Sequence, residues 1–314
     1  MVNARAKNPL MTKIGKLTLK NPVMLASGTC GYGSQMRGLA DVGALGAVVT
    51  KTITLKPRDG NPSPRIVETS AGMINSIGLE NMGIDDFISN KAAAFKKLGT
   101  VVIASVAGES AREYAELVER ISAVNSVAAV EINLSCPNVT HESRNKKYKL
   151  TAQDPDATAA VVRAARKKTK KTLIAKLSPN VTDIKEIARA AEGAGADAIT
   201  AVNTVFGVSV NAKTRRPNIG AVCGGLSGPA VKPIALYFVR DVSSCVSVPV
   251  IGSGGVMTAD DAVEFMLCGA AAVQVGTATF VYPDAAVRIV KGLEKYMREN
   301  RVKNISSLIG GIII

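Results

Sequence analysis

The chain has 314 residues, 47% of them apolar and 20% charged, which suffices for one large domain or two small ones. No apolar run is long enough to cross a bilayer and the N-terminus, Met1-Val-Asn-Ala-Arg-Ala-Lys-Asn8, has no apolar h-region, so neither a membrane span nor a secretory signal is expected and a cytoplasmic location is. The formal net charge is +14, yet aromatics are 4% and Trp is absent, which disfavours a nucleic-acid partner, since such modules interleave aromatics with basic residues.

In chain order, Met11 to Lys20 alternates and turns at Gly15, as a hairpin closing the bottom of a barrel would. Pro22–Ser27 reads as a strand, Gln35 to Val42 as a helix, and Ala47–Thr52 as a second strand ending on Lys51. Pro57, Pro62 and Pro64 then forbid a helix, and the long insertion from Ile53 to Lys91 is expected to be a functional lid. Val101–Val106 is a third strand, followed by a helix capped by Ser110 with Tyr114, Leu117, Val118, Ile121 and Val124 on one face. The fourth strand, Val127 to Leu134, runs into Ser135-Cys136-Pro137-Asn138 and a long polar loop reaching Gln153. Asp154 can cap the next helix, Leu173–Leu177 is the fifth strand, and Asp183 to Glu192 places Ile184, Ile187, Ala188 and Ala191 on one helical face. Ala198–Asn203 is the sixth strand, and a second insertion runs to Gly228. A helix from Pro229, a seventh strand ending in Gly252-Ser-Gly-Gly255, a helix opened by Thr258 and Asp261 and ended by Gly269, an eighth strand ending at Gly276-Thr277 and a last helix from Asp284 to Arg298 complete the chain.

Eight strands alternating with helices predict an α/β fold, a (β/α)8 TIM barrel over 1–314 as a single domain, with an N-terminal hairpin and insertions at the C-terminal face. A doubly wound sheet is the alternative. Polar or small residues recur at strand ends (Ser27, Lys51, Ser105, Asn133, Lys176, Asn203, Gly254, Thr277), and the glycine turns follow strands seven and eight, where such barrels hold phosphate. The turn after strand one, Ser27 to Gly33, matches a dinucleotide fingerprint only loosely.

Those glycine turns, next to two helix N-termini, would offer bare N–H groups to one phosphate; the plainer alternative is tight turns alone. Lys51 and Lys176 point into the same mouth, which implies further negative charge there, either a carboxylate or an anion formed in turnover, unless each snorkels to solvent. Asn75, Asn133, Asn138 and Asn203 could read a flat ring bearing C=O and N–H edges, although Asn is also a routine turn residue. Cys136 could be an inert buried cysteine, but Asn133, Ser135 and Asn138 around it suggest a site. The five cysteines (30, 136, 223, 245 and 268) form no C-x-x-C pair and the only histidine is His141, so no metal site is expected in this chain.

Asn133-Leu-Ser-Cys-Pro-Asn138, Gly60-Asn-Pro-Ser-Pro-Arg65, Asn75-Ser-Ile-Gly-Leu79, Lys176-Leu-Ser-Pro-Asn180, Thr214-Arg-Arg-Pro217, Gly224-Gly-Leu-Ser-Gly-Pro229 and Gly252-Ser-Gly-Gly255 together resemble the class 1 dihydroorotate dehydrogenases. Asn203-Thr204 and the two later motifs of the second insertion resemble the NAD-linked subclass, class 1B, whose catalytic subunit works with an iron–sulfur flavoprotein. The resemblance implies FMN held by Ser27, Lys51, Thr52, Ser105, Asn133, Lys176, Val202, Gly228, Gly254, Gly255, Gly276 and Thr277. It implies substrate contacts from Lys51, Asn75, Ser76, Ile77, Gly78, Leu79, Asn133, Asn203 and Thr204, with Cys136 as general base. It further implies a homodimer core bound to an electron-transfer subunit carrying FAD and a 2Fe–2S cluster. Ser105 stands where the family usually has Asn, Asn211 where Asp is common, and His141 to Lys149 replaces a glycine-rich, less basic loop. Rival readings are a flavin-dependent dihydropyrimidine dehydrogenase, which shares the Ser-Cys-Pro element but whose uracil substrate has no carboxylate for Lys51; a fumarate-linked relative; a flavin-free phosphate-sugar barrel; and a basic barrel that has lost catalysis.

Overall fold

The computed structural model describes residues 8–134 and 150–313. Eight strands form a closed barrel: β1 (Val23–Leu25), β2 (Ala47–Val49), β3 (Val101–Val106), β4 (Ala129–Asn133), β5 (Thr172–Lys176), β6 (Ala198–Ala201), β7 (Val250–Ser253) and β8 (Ala270–Val275). Each pairs in parallel with the next, and β8 closes on β1. The expected (β/α)8 barrel is what the chain forms.

The strands are apolar on both faces because both are covered. Inward-pointing Met24, Val49, Ile103, Ala129, Ile174 and Ile251 fill the lower barrel, and Ile14 and Leu19 of the hairpin Thr12–Ile14/Leu17–Leu19 close it from below. Outward-pointing Val48, Val102, Val130, Ile132 and Leu173 belong to the larger cluster shared with the helices. Each fully buried aliphatic side chain contributes about 1.5–3 kcal/mol relative to exposure.

The helices begin where the sequence expects. Ser110 accepts from the Glu113 N–H at the head of Ala111–Ser122, Asp154 from the N–H groups of Asp156 and Ala157 before Pro155–Arg166, and Asp183 from Lys185 before Ile184–Gly193. The remaining long helices are Lys232–Ser243, Ala259–Leu267 and Ala285–Glu299. The helix expected over Gln35 to Val42 does not form. Two single 3-10 turns, Ser34–Met36 and Val42–Ala44, stand there instead, because Gly33 and Gly38 take φ of +86° and +79°, outside the helical region.

The two insertions meet above the barrel. Ile66–Thr69 and Gly72–Asn75 of the first pair with Gly224–Ser227 and Val205–Gly207 of the second in one antiparallel sheet. A small hairpin, Val210–Asn211 with Arg216–Pro217, extends the second insertion. There Asn211 Oδ1 accepts from the N–H groups of Lys213 and Thr214, both at 3.0 Å, an acceptor role that an aspartate would also fill.

Candidate active site

The strand alternation continues upward, but the inward residues change character. Ser105, Glu131, Asn133, Lys176, Thr200, Ser253 and Gln274 are all buried polar groups at the upper ends of β3 to β8. Above them lies a cavity of about 350 Å³, within the range of small-molecule sites. Its lining joins Ser27, Lys51, Thr52, Asn75, Ile77, Gly78, Leu79, Ser105, Asn133, Lys176, Val202, Asn203, Thr204, Gly228, Gly254, Gly255, Gly276 and Thr277. Ser76 is the exception: its hydroxyl accepts from Asn61 Nδ2 at 2.7 Å and its backbone N–H donates to Arg65 O, both outside the cavity. Cys136 and Asn138 lie outside the described residues, as does the loop to Lys149. None of the described cysteines, Cys30, Cys223, Cys245 and Cys268, lines the cavity, and burial pushes the Cys30 thiol up to about 12.

On the β7–β8 side the wall is bare backbone. Gly254 and Gly255 have φ of +131° and +76°, and a Cβ on Gly255 would stand 2.9 Å from Gly228 O. Thr277 Oγ1 donates to Ser227 Oγ at 2.8 Å. Two helices follow this wall closely in the chain. Ala259–Leu267 opens on a reciprocal cap: Thr258 Oγ1 accepts from the Asp261 N–H, and Asp261 Oδ2 accepts from the N–H groups of Met257 and Thr258. Ala278–Val281 is a single turn whose N-cap, Thr277, itself lines the cavity. The cradle therefore combines the peptide groups of the glycine turns with the head of that single turn.

On the side of β2 and the first insertion the wall is charged. Lys51 Nζ lies 3.8 Å from Glu80 Oε2, which also takes the Arg65 guanidinium at 2.7 Å. Asn75 Nδ2 donates to Gly225 O at 3.1 Å across the insertion sheet, and Asn203 Nδ2 donates to Asn133 Oδ1 at 3.3 Å. Asn133 is held from behind by Tyr114, whose hydroxyl donates to its carbonyl at 2.7 Å. The hydroxyls of Ser27, Thr52 and Ser105 form a chain with links of 3.2 and 2.9 Å, so the serine at 105 is engaged by its neighbour.

At the floor stands Lys176, with only 8% of its side chain exposed, donating to Gln274 Oε1 at 3.0 Å and lying 3.7 Å from Glu131 Oε1. Sequence reasoning missed Glu131 and Gln274. Their signal was present: each is a polar residue flanked on both sides by apolar ones within a strand. It also missed Ser227 and Ser253 at strand ends, Glu80 in a loop and Phe280 in the single-turn helix Ala278–Val281, all of which line the cavity.

An FMN-sized ligand fits this donor set on three observations. A wall without side chains suits a phosphate, a hydroxyl and amide belt suits a ring edge, and a buried ammonium lies beneath a cavity with room for an anion.

The sequence model of the family described as dihydroorotate dehydrogenase matches residues 9–297. A protein of Trichlorobacter lovleyi named dihydroorotate dehydrogenase B (NAD(+)), catalytic subunit, is 52% identical over 98% of this chain and 99% of its own length. A Geobacter sulfurreducens protein of the same name is 50% identical over the same shares. Among solved structures, DHODH from Eimeria tenella in complex with ferulenol superposes with a TM-score of 0.79 at 26% identity, over 98% of this chain and 90% of that one.

Proposed function

Because the chain belongs to the dihydroorotate dehydrogenase family, a flavin-dependent group of oxidoreductases of pyrimidine biosynthesis, we propose that it is the FMN-carrying catalytic subunit of an NAD-linked enzyme oxidising (S)-dihydroorotate to orotate. The observation that carries this reading is the convergence of Lys51, Asn75, Asn133, Lys176 and Asn203 with the glycine turns of β7 and β8 on one cavity. These residues come from stretches far apart in the chain, and the barrel and the insertion sheet bring their polar groups to one cavity.

When bound, FMN supplies a two-electron acceptor for the hydride that leaves the substrate ring. Gly228, Gly254, Gly255, Gly276 and Thr277 would hold its phosphate, and Ser27, Thr52, Ser105 and Val202 would line its ring system. Lys176 would place a fixed positive charge beside the ring as it gains negative charge, a form of electrostatic stabilisation that needs no reorganisation during the reaction. Lys51 would hold the substrate carboxylate. Asn75, Asn133, Asn203 and Thr204 would pair with the C=O and N–H edges of the dihydropyrimidine and fix its orientation.

Cys136, two residues beyond Leu134 in sequence, would take the ring-carbon proton as a thiolate. The unperturbed thiol titrates at about 8.5, so turnover should rise with pH through the range in which the thiolate forms. None of the described cysteines lines the cavity.

The relatives' name, catalytic subunit, supports a separate electron-transfer partner, and the reading includes one carrying FAD and a 2Fe–2S cluster on a homodimeric core. The test is direct: purify the chain, record its visible spectrum, and add dihydroorotate anaerobically. The yellow colour of a flavin should bleach within the mixing time. A colourless protein, or a yellow one that dihydroorotate does not bleach, overturns the reading. Reduction of NAD by the same mixture should require the partner subunit.

A further inference from the structure

Two buried side chains of the barrel have no part in the chemistry above, Glu131 on β4 and Gln274 on β8. Glu131 is fully buried. Its Oε2 accepts from Gln274 Nε2 at 2.6 Å and from Thr200 Oγ1 at 2.9 Å. Its Oε1 has no hydrogen-bond partner among the described residues and faces Lys176 Nζ at 3.7 Å. Gln274 bridges the two charges, since its Oε1 accepts from Lys176 at 3.0 Å. Side chains from β4, β6 and β8 thus converge beneath one ammonium.

Stability does not account for this arrangement. Taking two charges out of water costs several kcal/mol per ion, and an apolar filling of the same volume is often as stable or more so. This barrel has such a filling one layer down, at Ile103, Ile174 and Ile251. A pair built only to hold the strands together would also close to a hydrogen bond, and this one stops short at 3.7 Å. The ammonium is steered by Gln274 and backed by Glu131, yet Lys176 still lines the cavity above.

Resting on the proposed function, we propose that Glu131 is a positioning residue: a buried counter-charge that, through the Gln274 bridge, seats the Lys176 ammonium and limits how strongly the site favours reduced flavin. Lys176 favours the electron-rich form of the ring, and Glu131 offsets part of that preference. The pair sets the flavin's electron affinity from beneath, without touching the substrate.

The experiment compares wild-type holoenzyme with Glu131→Gln, Glu131→Asp, Lys176→Met and the Glu131→Gln/Lys176→Met double variant. Flavin reduction is equilibrated against a redox dye, with FMN affinity and thermal midpoint measured alongside. Glu131→Gln should raise the reduced-to-oxidised ratio at fixed dye poise by roughly tenfold, about 30 mV for a two-electron couple. Glu131→Asp keeps the charge and should stay within about twofold of wild type. In the Lys176→Met background Glu131→Gln should change the ratio less than about twofold, because the carboxylate acts on the flavin through the ammonium that it seats. An unchanged ratio in Glu131→Gln overturns the proposal, and so does an equal shift with and without Lys176. If Glu131→Gln does not fold, the comparison of Lys176→Met with the double variant decides by the same twofold criterion. The dye titration uses no dihydroorotate, so a wild-type protein that binds flavin but ignores dihydroorotate would fail the functional reading and leave this one standing.

Discussion

The lower and upper halves of the barrel interior are built from the same strands and obey the same alternation, yet they have opposite chemistry. Below, Ile103, Ala129, Ile174 and Ile251 pack into a dry cluster sealed by Ile14 and Leu19 of the hairpin. Two residues further along the same strands the inward positions are Ser105, Glu131, Lys176 and Ser253. Pleating decides which residues point inward, and distance along the strand decides whether they face packing or a ligand. Stability is therefore concentrated in the floor layers and chemistry in the roof, and the two can be separated by mutation.

The largest separation is expected at Cys136, the proposed base. Cys136→Ala should lower kcat by about 10²–10⁴-fold, the contribution of a positioned general base, while the purified protein stays yellow and its thermal midpoint barely moves. Stopped-flow reduction by dihydroorotate against flavin content checks both halves of that statement. Full activity would remove the base from Cys136. A colourless variant would give the residue a structural task instead.

The floor should behave in the reverse sense. Ile174→Ala removes a fully buried side chain from the lower cluster and should cost about 2–5 kcal/mol in denaturant unfolding. At temperatures where the variant stays folded, kcat and KM should be close to wild type, because Ile174 does not line the cavity. A large loss of kcat with little loss of stability would dissolve the distinction between the two layers.

The floor and the barrel were legible in the sequence because short aliphatic runs at regular intervals, separated by amphipathic stretches, leave little choice but buried parallel strands. Ser110, Asp154 and Thr258 marked helix starts through an equally local signature, a side-chain oxygen that satisfies an exposed N–H. The roof was legible only in part. Lys51, Asn133 and Lys176 stood out as polar residues at strand ends. The sheet formed by the two insertions was not foreseen, since its strands lie about 150 residues apart and are interrupted by glycines. Gly224 and Gly225 are required there, because a Cβ would stand 2.4 Å from Asn75 O and 2.0 Å from Thr204 Oγ1. Ser76 sits in a motif with Asn75 and Ile77, but its side chain is turned toward Asn61, an orientation that the motif alone does not reveal. The Glu131 network was hidden because its members sit one layer inside the strand ends, where a lone polar residue is masked by its apolar neighbours.

The smallest expected effect lies at the rim, where Glu80 stands between Lys51 and Arg65. Its side chain is half exposed, so the contact with Lys51 contributes at most about 1 kcal/mol. Yet Lys51 is the group proposed to receive the substrate carboxylate, and Glu80 is a carboxylate already beside it. The two anions must share one ammonium or repel each other. Glu80→Gln should therefore lower KM for dihydroorotate by roughly two- to fivefold and leave kcat unchanged, since fivefold corresponds to about 1 kcal/mol. The gain should shrink at high ionic strength, because exposed charges are screened there. A KM that does not move at low salt would mean that Arg65 already holds Glu80 away from the substrate. A KM that rises would mean that Glu80 orients Lys51 instead of competing for it, and the rim would then belong with Glu131 as a second carboxylate that positions a lysine.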